Sequence, residues 1–130
     1  MEGKRLTELA ARLSETGHVL YVDCANRFDP YELFRTSRDE SCLERVHVCR
    51  PFTAYQLREL VFQKLEPAIQ YLGSQAMLFA GIDSYGTEGP MDEKELILIR
   101  ERVVARIASL AKDYGIYAAI SYGGDHGTHC

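Results

Sequence analysis

Residues 76–85 read Ala-Met-Leu-Phe-Ala-Gly-Ile-Asp-Ser-Tyr and decide the predicted fold. The apolar run ends in Asp83 and Ser84, and Gly89 and Pro90 follow as residues that break regular structure. A buried parallel strand has this appearance when it carries a carboxylate to the carboxyl edge of a sheet. In nucleotide-binding α/β proteins, an acidic residue at that position holds Mg²⁺ directly or through water. The alternative is a core strand followed by an ordinary Asp-Ser turn, which is common in α/β folds.

Helix and strand patterns alternate along the rest of the chain. The spacing of apolar residues predicts helices over 4–15, from 30, from 53 to 72 and over 93–113, and strands over 18–23, 46–49, 76–83 and 116–122. Strands that alternate with helices predict a parallel sheet with helices packed on its faces. The predicted fold class is therefore α/β, with a parallel sheet of about four strands and helices on both faces. Pro67 lies inside the third helical pattern, so we predict a kink or a break just before it.

The 130 residues predict one domain over 1–122 and a short glycine-rich tail over 123–130 that we expect to be flexible. The formal net charge is −4, and no basic run indicates a nucleic-acid footprint. No apolar stretch is long enough to span a bilayer, and no signal peptide is evident. We therefore expect a cytoplasmic protein that does not enter membranes. The cysteines form no CxxC pair and are expected to be buried thiols rather than disulfides; they are Cys24, Cys42, Cys49 and Cys130.

Four segments share their order and spacing with one known family. They are residues 18–33, where a strand is followed by Arg-Phe-Asp-Pro-Tyr-Glu-Leu, residues 46–57, residues 77–84 and residues 111–116. In this order they resemble the ATPase core of the RecA/RadA recombinases, especially its archaeal RadA- and RadB-like branch. The resemblance implies a RecA-like P-loop NTPase core. It also implies a strand order that places 46–49 at one edge of the sheet and 116–122 at the other.

The phosphate-binding loop is the first departure from this family. Active members carry GxxxxGK[ST], whose backbone N–H groups wrap the phosphates, whose lysine neutralises them and whose hydroxyl binds Mg²⁺. Here only Gly3 and Lys4 match, and the core is expected to lack the phosphate-loop strand. Arg5 stands where the hydroxyl should be, and a guanidinium cannot coordinate a cation. Gly3 and Lys4 are therefore either a remnant of the loop or simply the start of a helix.

The catalytic groups are the second departure. The family carries Asp-x-Glu after the first strand of this chain, and its glutamate polarises the attacking water, whereas this sequence has Asp23 and then Ala25. Ala25 can neither accept a proton nor orient water, and Asp23 remains as a candidate cap for the turn. Ser121 and Tyr122 stand where the family has a polar pair that senses the γ-phosphate, and Tyr122 is a poor match for the usual glutamine. Because phosphoryl transfer depends on positioning and charge stabilisation, we expect no catalytic residue and no useful hydrolysis.

The resemblance nevertheless indicates which residues would form a nucleotide site if the chain still binds nucleotide. It would consist of Gly3, Lys4, Asp83 and Ser84, with Asp83 holding Mg²⁺. The main interpretation expects no cofactor. ATP and Mg²⁺ belong to the alternative, in which another subunit completes the site.

Residues 116–122 predict an interaction surface. If the strand beside them is missing, their backbone groups are unpaired at the edge of the sheet, which favours association. We expect a second copy of the chain or a partner protein to cover this strand. The alternative is that the tail over 123–130 folds back over it. A nucleic-acid partner follows only from the family resemblance, because a polar helix face explains Arg100, Arg102 and Arg106 equally well.

Three functions are compatible with these patterns. The first is a degenerate, non-hydrolysing RecA/RadA-like domain that acts through protein contacts, as an accessory to DNA recombination or repair. The second is an ATP-binding protein or ATPase of the same superfamily, and the third is a folded fragment without a biochemical role. Asp125, His126, His129 and Cys130 have a spacing that permits a metal site, but a glycine-rich terminus gives such a site no rigid surroundings.

Overall fold

The structure is a computed structural model that describes residues 3–37 and 39–122. In chain order its elements are α1 (Gly3–Leu13), β1 (Val19–Asp23), α2 (Pro30–Ser37), α3 (Cys42–Arg45), β2 (Val46–Cys49), α4 (Ala54–Glu59), a π-helical turn (Leu60–Lys64), α5 (Leu65–Leu72), β3 (Ala76–Ala80), α6 (Glu93–Tyr114) and β4 (Tyr117–Ile120). The predicted alternation of helices and strands is confirmed. The predicted tail over 123–130 lies outside the described residues.

The strands of the described residues form one parallel sheet in the order β2-β1-β3-β4. β1 lies between β2 and β3, with Val19 opposite Val46 on one side and Ala76 on the other. β3 pairs on its second side with β4, where Leu78 lies opposite Ala119. Helical segments connect the parallel neighbours, because parallel strands need a crossover. The positions of β2 and β4 at the two edges of this sheet agree with the predicted strand order.

Alternate residues of the strands are buried in two separate cores. Leu20, Met77 and Phe79 pack on one face with apolar residues of α4, α5 and α6. Tyr21 and Leu78 pack on the other face with residues of α1, α2 and α3. Every residue of β1 and β3 is buried, which explains why their sequences are apolar almost throughout instead of alternating. The sheet is therefore a middle layer between two helical layers, as predicted.

The helix between β2 and β3 is interrupted before Pro67, as the sequence predicts. Pro67 has no N–H and cannot donate to the carbonyl oxygen four residues earlier. The chain widens just before it into the π-helical turn, where the N–H of Leu65 donates to the carbonyl oxygen of Leu60. Thr53 and Gln56 have the spacing of a capping box, which predicts a helix start at this point. The structure confirms it, because Thr53 accepts a hydrogen bond from the N–H of Gln56 at 3.0 Å at the start of α4.

Two boundaries differ from the sequence predictions. The apolar pattern predicts a strand as far as Asp83, but β3 ends at Ala80, because the next residue, Gly81, adopts a φ of 68°. The mostly polar residues 37–44 predict a connection between elements, but α3 begins among them, with Cys42 fully buried. A helix of one turn is too short to produce a periodic apolar pattern, so no periodicity indicates α3 in advance.

Candidate functional site at the carboxyl edge of the sheet

The loops that follow the strands meet at the carboxyl edge of the sheet, where α/β proteins usually bind ligands. The loop after β1 joins β3 through a hydrogen bond from the N–H of Cys24 to the carbonyl oxygen of Ala80, at 2.9 Å. The turn after β3 joins the end of β4 through a hydrogen bond from the N–H of Ile82 to the carbonyl oxygen of Ser121, at 3.1 Å. The predicted site residues Asp83 and Ser84 therefore lie at the same edge as Asp23 and Ala25.

Asp23 is held by three donors of the protein itself. Its side chain is only 2% exposed. One carboxylate oxygen accepts from the N–H of Arg27 at 3.0 Å, and the other accepts from the N–H of Phe28 at 2.7 Å. The guanidinium of Arg50 donates to the second oxygen at 3.2 Å. The predicted role of Asp23 as a cap for the turn after β1 is thus confirmed. The hydrogen bonds that its carboxylate accepts stabilise the fold.

Arg50 joins the end of β2 to the turn after β1. Besides its bond to Asp23, it donates from Nη2 to the carbonyl oxygen of Phe28 at 3.2 Å. The aromatic ring of Phe28 packs against that of Tyr21 with 4.9 Å between the ring centroids. Sequence reasoning missed this role of Arg50. Its only signal was the Arg50-Pro51 pair at the end of the strand, which says nothing about which acid the guanidinium meets.

Ala25 packs tightly against Gly81. A Cβ atom added to Gly81 would lie 2.8 Å from the Cβ of Ala25 and 2.7 Å from the hydroxyl oxygen of Ser84. The two loops therefore approach too closely for any side chain at Gly81. In the arrangement implied by the family resemblance, a catalytic glutamate would stand at the position of Ala25. Here this position carries a methyl group against a turn, which has no capacity for proton transfer.

Asp83 and Ser84 follow Gly81 in a tight turn. The N–H of Ser84 donates to the carbonyl oxygen of Gly81 at 2.9 Å. Asp83 is half-buried and takes part in an interaction of the fold, while Ser84 is exposed. The carboxylate of Asp83 is of the ligand type that Mg²⁺ prefers. The structure places Asp83 and Ser84 together at the expected edge of the sheet. The turn is compatible with both predicted alternatives, an acid that holds Mg²⁺ and an ordinary Asp-Ser turn.

Gly3 and Lys4, the other residues of the predicted nucleotide site, form the start of α1. The other end of α1 lies at the amino edge of the sheet, because the carbonyl oxygen of Leu13 accepts a hydrogen bond from the side chain of Gln75, just before β3. The first turn of α1 therefore points toward the carboxyl edge. The side chain of Lys4 lies outside what the structure describes.

Ser121 also makes its hydrogen bonds within the fold. Its hydroxyl accepts a hydrogen bond from the N–H of Gly81 at 2.9 Å, and its own N–H donates to the carbonyl oxygen of Phe79 at 2.8 Å. Ser121 is buried, whereas the next residue, Tyr122, is half exposed. The serine predicted to stand in the position of a γ-phosphate sensor thus holds the turn after β3 in place.

The side chains of Cys24, which is buried, and Tyr85, which is half-buried, lie beside each other at the same edge. Cys24 is buried beside Tyr85, and burial raises the pKa of the Cys24 thiol to about 12. Burial likewise raises the pKa of Tyr85, whose hydroxyl donates to the carbonyl oxygen of Pro51. Both groups are therefore neutral at pH 7 and make poor nucleophiles or bases. Cys24, Cys42 and Cys49 are free thiols, as predicted. Cys24 and Cys42 are buried as expected, whereas Cys49 is only partly buried, and Cys130 lies outside the described residues.

A cavity lies near this edge, between the end of β2 and the π-helical turn. It has a volume of about 280 Å³ and is lined by Arg50, Pro51, Gln56, Glu59, Leu60 and Lys64. Within residues 3–37 and 39–122, no group of three or more His, Cys, Asp or Glu side chains is placed to hold a metal ion. The residues predicted to permit a metal site, Asp125, His126, His129 and Cys130, lie beyond the described part of the chain.

No protein-family model and no curated protein sequence matches this chain. None of the helices built by the described residues has the length and the apolar character that crossing a membrane requires. Functional proposals for this chain therefore depend on the geometry of its sheet edges and on the residues that its sequence places there.

Proposed function

We propose that this chain is a non-hydrolysing α/β module of the RecA/RadA type that acts through protein contacts. The observation that carries the proposal is β4, an edge strand in the described sheet whose outer side offers backbone groups for pairing. An accessory role in DNA recombination or repair is part of the proposal and is supported by the sequence resemblance alone. The partner we propose for β4 is a second copy of this chain.

The hydrogen bonds between β4 and β3 show which backbone groups of β4 point away from β3. The N–H groups of Tyr117 and Ser121 donate toward β3, to the carbonyl oxygens of Gln75 and Phe79. In a parallel pair these groups alternate, so the N–H groups of Ala118 and Ile120 point away from β3. Among the described residues, β4 has no strand on that side. A row of donors and acceptors pointing away from a sheet is a template for another strand.

The sequence of β4 favours a second copy as the occupant. Residues 116–122 contain no charged residue and no proline, which are the usual features that protect an edge strand from association. Two copies can therefore pair without repulsion between like charges. Tyr117 and Tyr122 are 49% and 50% exposed and flank the strand with apolar surface. A symmetric pair of this kind would be antiparallel, because a two-fold axis reverses the strand direction.

The absence of hydrolysis is supported by the loop after β1. Asp23 accepts three part-buried hydrogen bonds from the protein, so releasing its oxygens would break all three. Ala25 contributes only a methyl group at the position that the resemblance assigns to the general base. Removing a general base typically costs two to four orders of magnitude in rate, roughly 10²–10⁴-fold. The carboxyl edge of this sheet is thus better suited to hold the fold together than to transfer a phosphoryl group.

Light scattering on the purified protein tests the association. At tens of micromolar we expect the full chain to have twice the mass of one chain, which is 14.7 kDa. Replacing Ala118 with proline removes an N–H that points away from β3 and leaves the bonds between β3 and β4 intact. We expect Ala118→Pro to have the mass of one chain.

The matched control is Ala118→Ser, which keeps the N–H and should keep the doubled mass. Circular dichroism of each variant confirms that its helices and strands are retained. A parent protein with the mass of a single chain would contradict a second copy as the occupant. An unchanged doubled mass in a folded Ala118→Pro variant would show that the dimer forms elsewhere.

A further inference from the structure

A hydrogen bond between two histidines joins the edge strand β2 to the segment that enters β1. His18 directly precedes β1, and His47 lies on β2 opposite Leu20. The Nδ1 atom of His18 is 2.9 Å from the Nε2 atom of His47, and the ring centroids are 5.1 Å apart. The centroids are thus further apart than the nitrogens by about the sum of the ring radii, so the two nitrogens face each other head-on. The two rings, which we call the histidine pair, share one N–H···N hydrogen bond.

This hydrogen bond is compatible with one added proton but not with two. In the neutral pair, one facing nitrogen carries a hydrogen and donates it to the other. After one protonation, the charged ring donates to the neutral ring, and a charge-assisted hydrogen bond is stronger than a neutral one. After a second protonation, both facing nitrogens carry hydrogens and both rings are positively charged. The hydrogen bond is then lost, and the two rings repel each other.

We propose that the histidine pair is a pH-sensitive latch that holds β2 on β1 at neutral pH and loosens this edge strand as the pH falls below about 6.5. In the described sheet, β2 pairs with β1 and with no second strand, so no other strand replaces the contact that is lost. Both histidines are half-buried, so protons reach the pair from water. The latch lies at the edge opposite β4 and is independent of the proposed dimer.

The charges around the pair do not offset a second proton. Burial, and then the charge of His18, lower the pKa of His47, and among the described titratable groups His18 is the one whose charge acts on it. The π-helical turn and α5 pack on this face of the sheet. The charged residue of the turn is the cation Lys64. The acid of α5, Glu66, is paired with Arg106 at 3.0 Å.

The neighbours on the chain itself also supply no free anion to the pair. The carbonyl oxygen of His18 accepts hydrogen bonds from the N–H of Gln75 at 3.0 Å and from the hydroxyl of Ser74 at 3.2 Å, which are neutral groups. Arg45, just before β2, is a cation whose guanidinium donates to a backbone carbonyl oxygen after α1. The second proton on the pair is therefore opposed by its partner ring and by its surroundings.

The direction of the pH dependence follows from the protons bound in each state. In the unfolded chain the two histidines are far apart, and both become charged as the pH falls through about 6.5. The folded chain takes up the second proton only at a lower pH, because that proton breaks the hydrogen bond. Between these two values the unfolded state binds more protons, so stability rises with pH. The stabilisation by the latch is therefore complete above about pH 6.5 and is lost on acidification.

Urea unfolding of the full chain at about pH 7.5 and about pH 5.5, both above the range in which ordinary carboxyl groups titrate, tests the latch. Glutamine keeps a donor and an acceptor but does not titrate, so His18→Gln and His47→Gln each remove the repulsion. Between the two pH values, we expect the unfolding equilibrium constant of the parent to rise about fivefold more than that of either variant. His126 and His129 are present in all three chains, so their titration cancels in the comparison.

His18→Gln is the decisive variant, because it removes the partner charge and leaves His47 in its half-buried place. If His18→Gln keeps the full pH dependence of the parent, the effect belongs to the burial of His47 and the latch is overturned. A parent without any excess pH dependence over both variants overturns it as well. If His18→Gln does not unfold cooperatively at neutral pH, His18→Asn replaces it.

Amide hydrogen exchange followed by mass spectrometry locates the change in the parent chain. After correction for the intrinsic effect of pH, we expect acidification to reduce the protection of the peptide that covers β2 about fivefold more than that of the peptide that covers β3. In His18→Gln this difference between the two strands should disappear. Equal losses of protection in β2 and β3 of the parent would show that acid acts on the whole fold, which contradicts a latch on the edge strand.

Discussion

Replacing Gly81 with alanine is expected to lower the free energy of unfolding by about 3 kcal/mol. Two costs add at this position. Gly81 has a φ of 68°, where a Cβ atom is strained by the backbone. The new Cβ would also lie 2.8 Å from the Cβ of Ala25 and 2.7 Å from the hydroxyl oxygen of Ser84, so the two loops must move apart. Urea denaturation followed by circular dichroism measures the change.

Gly73→Ala is the matched control. Gly73 has a φ of 61°, but a Cβ atom there would have no neighbour within 4 Å. Only the backbone cost remains, and we expect a loss of about 1 kcal/mol. The difference between the two losses in the free energy of unfolding therefore measures the cost of a side chain where the loops after β1 and β3 approach each other. Equal losses would mean that the contact between Ala25 and Gly81 does not constrain this edge of the sheet.

Replacing Asp23 with alanine is expected to lower the free energy of unfolding by about 3 kcal/mol. The substitution leaves the N–H groups of Arg27 and Phe28 without their carboxylate acceptor and removes the charge partner of Arg50. Hydrogen bonds to a buried charged group are worth about 1.5–3 kcal/mol each, and the half-exposed guanidinium recovers part of its loss from water. Urea denaturation at neutral pH provides the measurement.

Asp29→Ala serves as the control for a carboxylate in a neighbouring turn. Asp29 is exposed and accepts a hydrogen bond from the N–H of Tyr31 at 2.9 Å. Its loss should cost about 1 kcal/mol, which is typical of a helix cap. If Asp23→Ala were as mild as Asp29→Ala, the carboxylate of Asp23 would not be structural. It would then be available for a ligand, contrary to the role we give it.

The elements and their order could be predicted because their signals are local. The continuous apolar runs of β1 and β3, the cap at Thr53 and the proline at position 67 each act within a few residues. The sheet order followed from the family resemblance and agrees with the described strands. Helical periodicity also predicted α6, whose start at Glu93 follows the cap by Asp92. Patterns of this kind can be interpreted without knowing which segments are in contact in the folded protein.

The contacts of the candidate site could not be predicted, because they join residues that are far apart in the sequence. Asp23 and Arg50 are 27 positions apart, and Gly81 lies still further from Ala25. Whether they touch depends on the register between strands and on the path of each loop. His47 shows the same limit. Its alternation with Val46 and Val48 indicates that it faces the opposite side of its strand, but not that His18 lies beside it. The early end of β3 at Ala80 accompanies the φ of 68° at Gly81, a backbone conformation that the apolar pattern does not reveal.

Calorimetric titration of Mg·ATP into the purified full chain, with ADP as the comparison, tests most directly the claim that the carboxyl edge serves the fold. We predict no detectable heat at millimolar nucleotide, because the carboxylate of Asp23 is already bound within the fold. Binding tighter than roughly 100 μM, or about −5.5 kcal/mol, would contradict this claim. If Asp83→Ala then removed that binding, the nucleotide site would be the one assigned to Asp83 and Ser84, and the chain would be an ATP-binding protein.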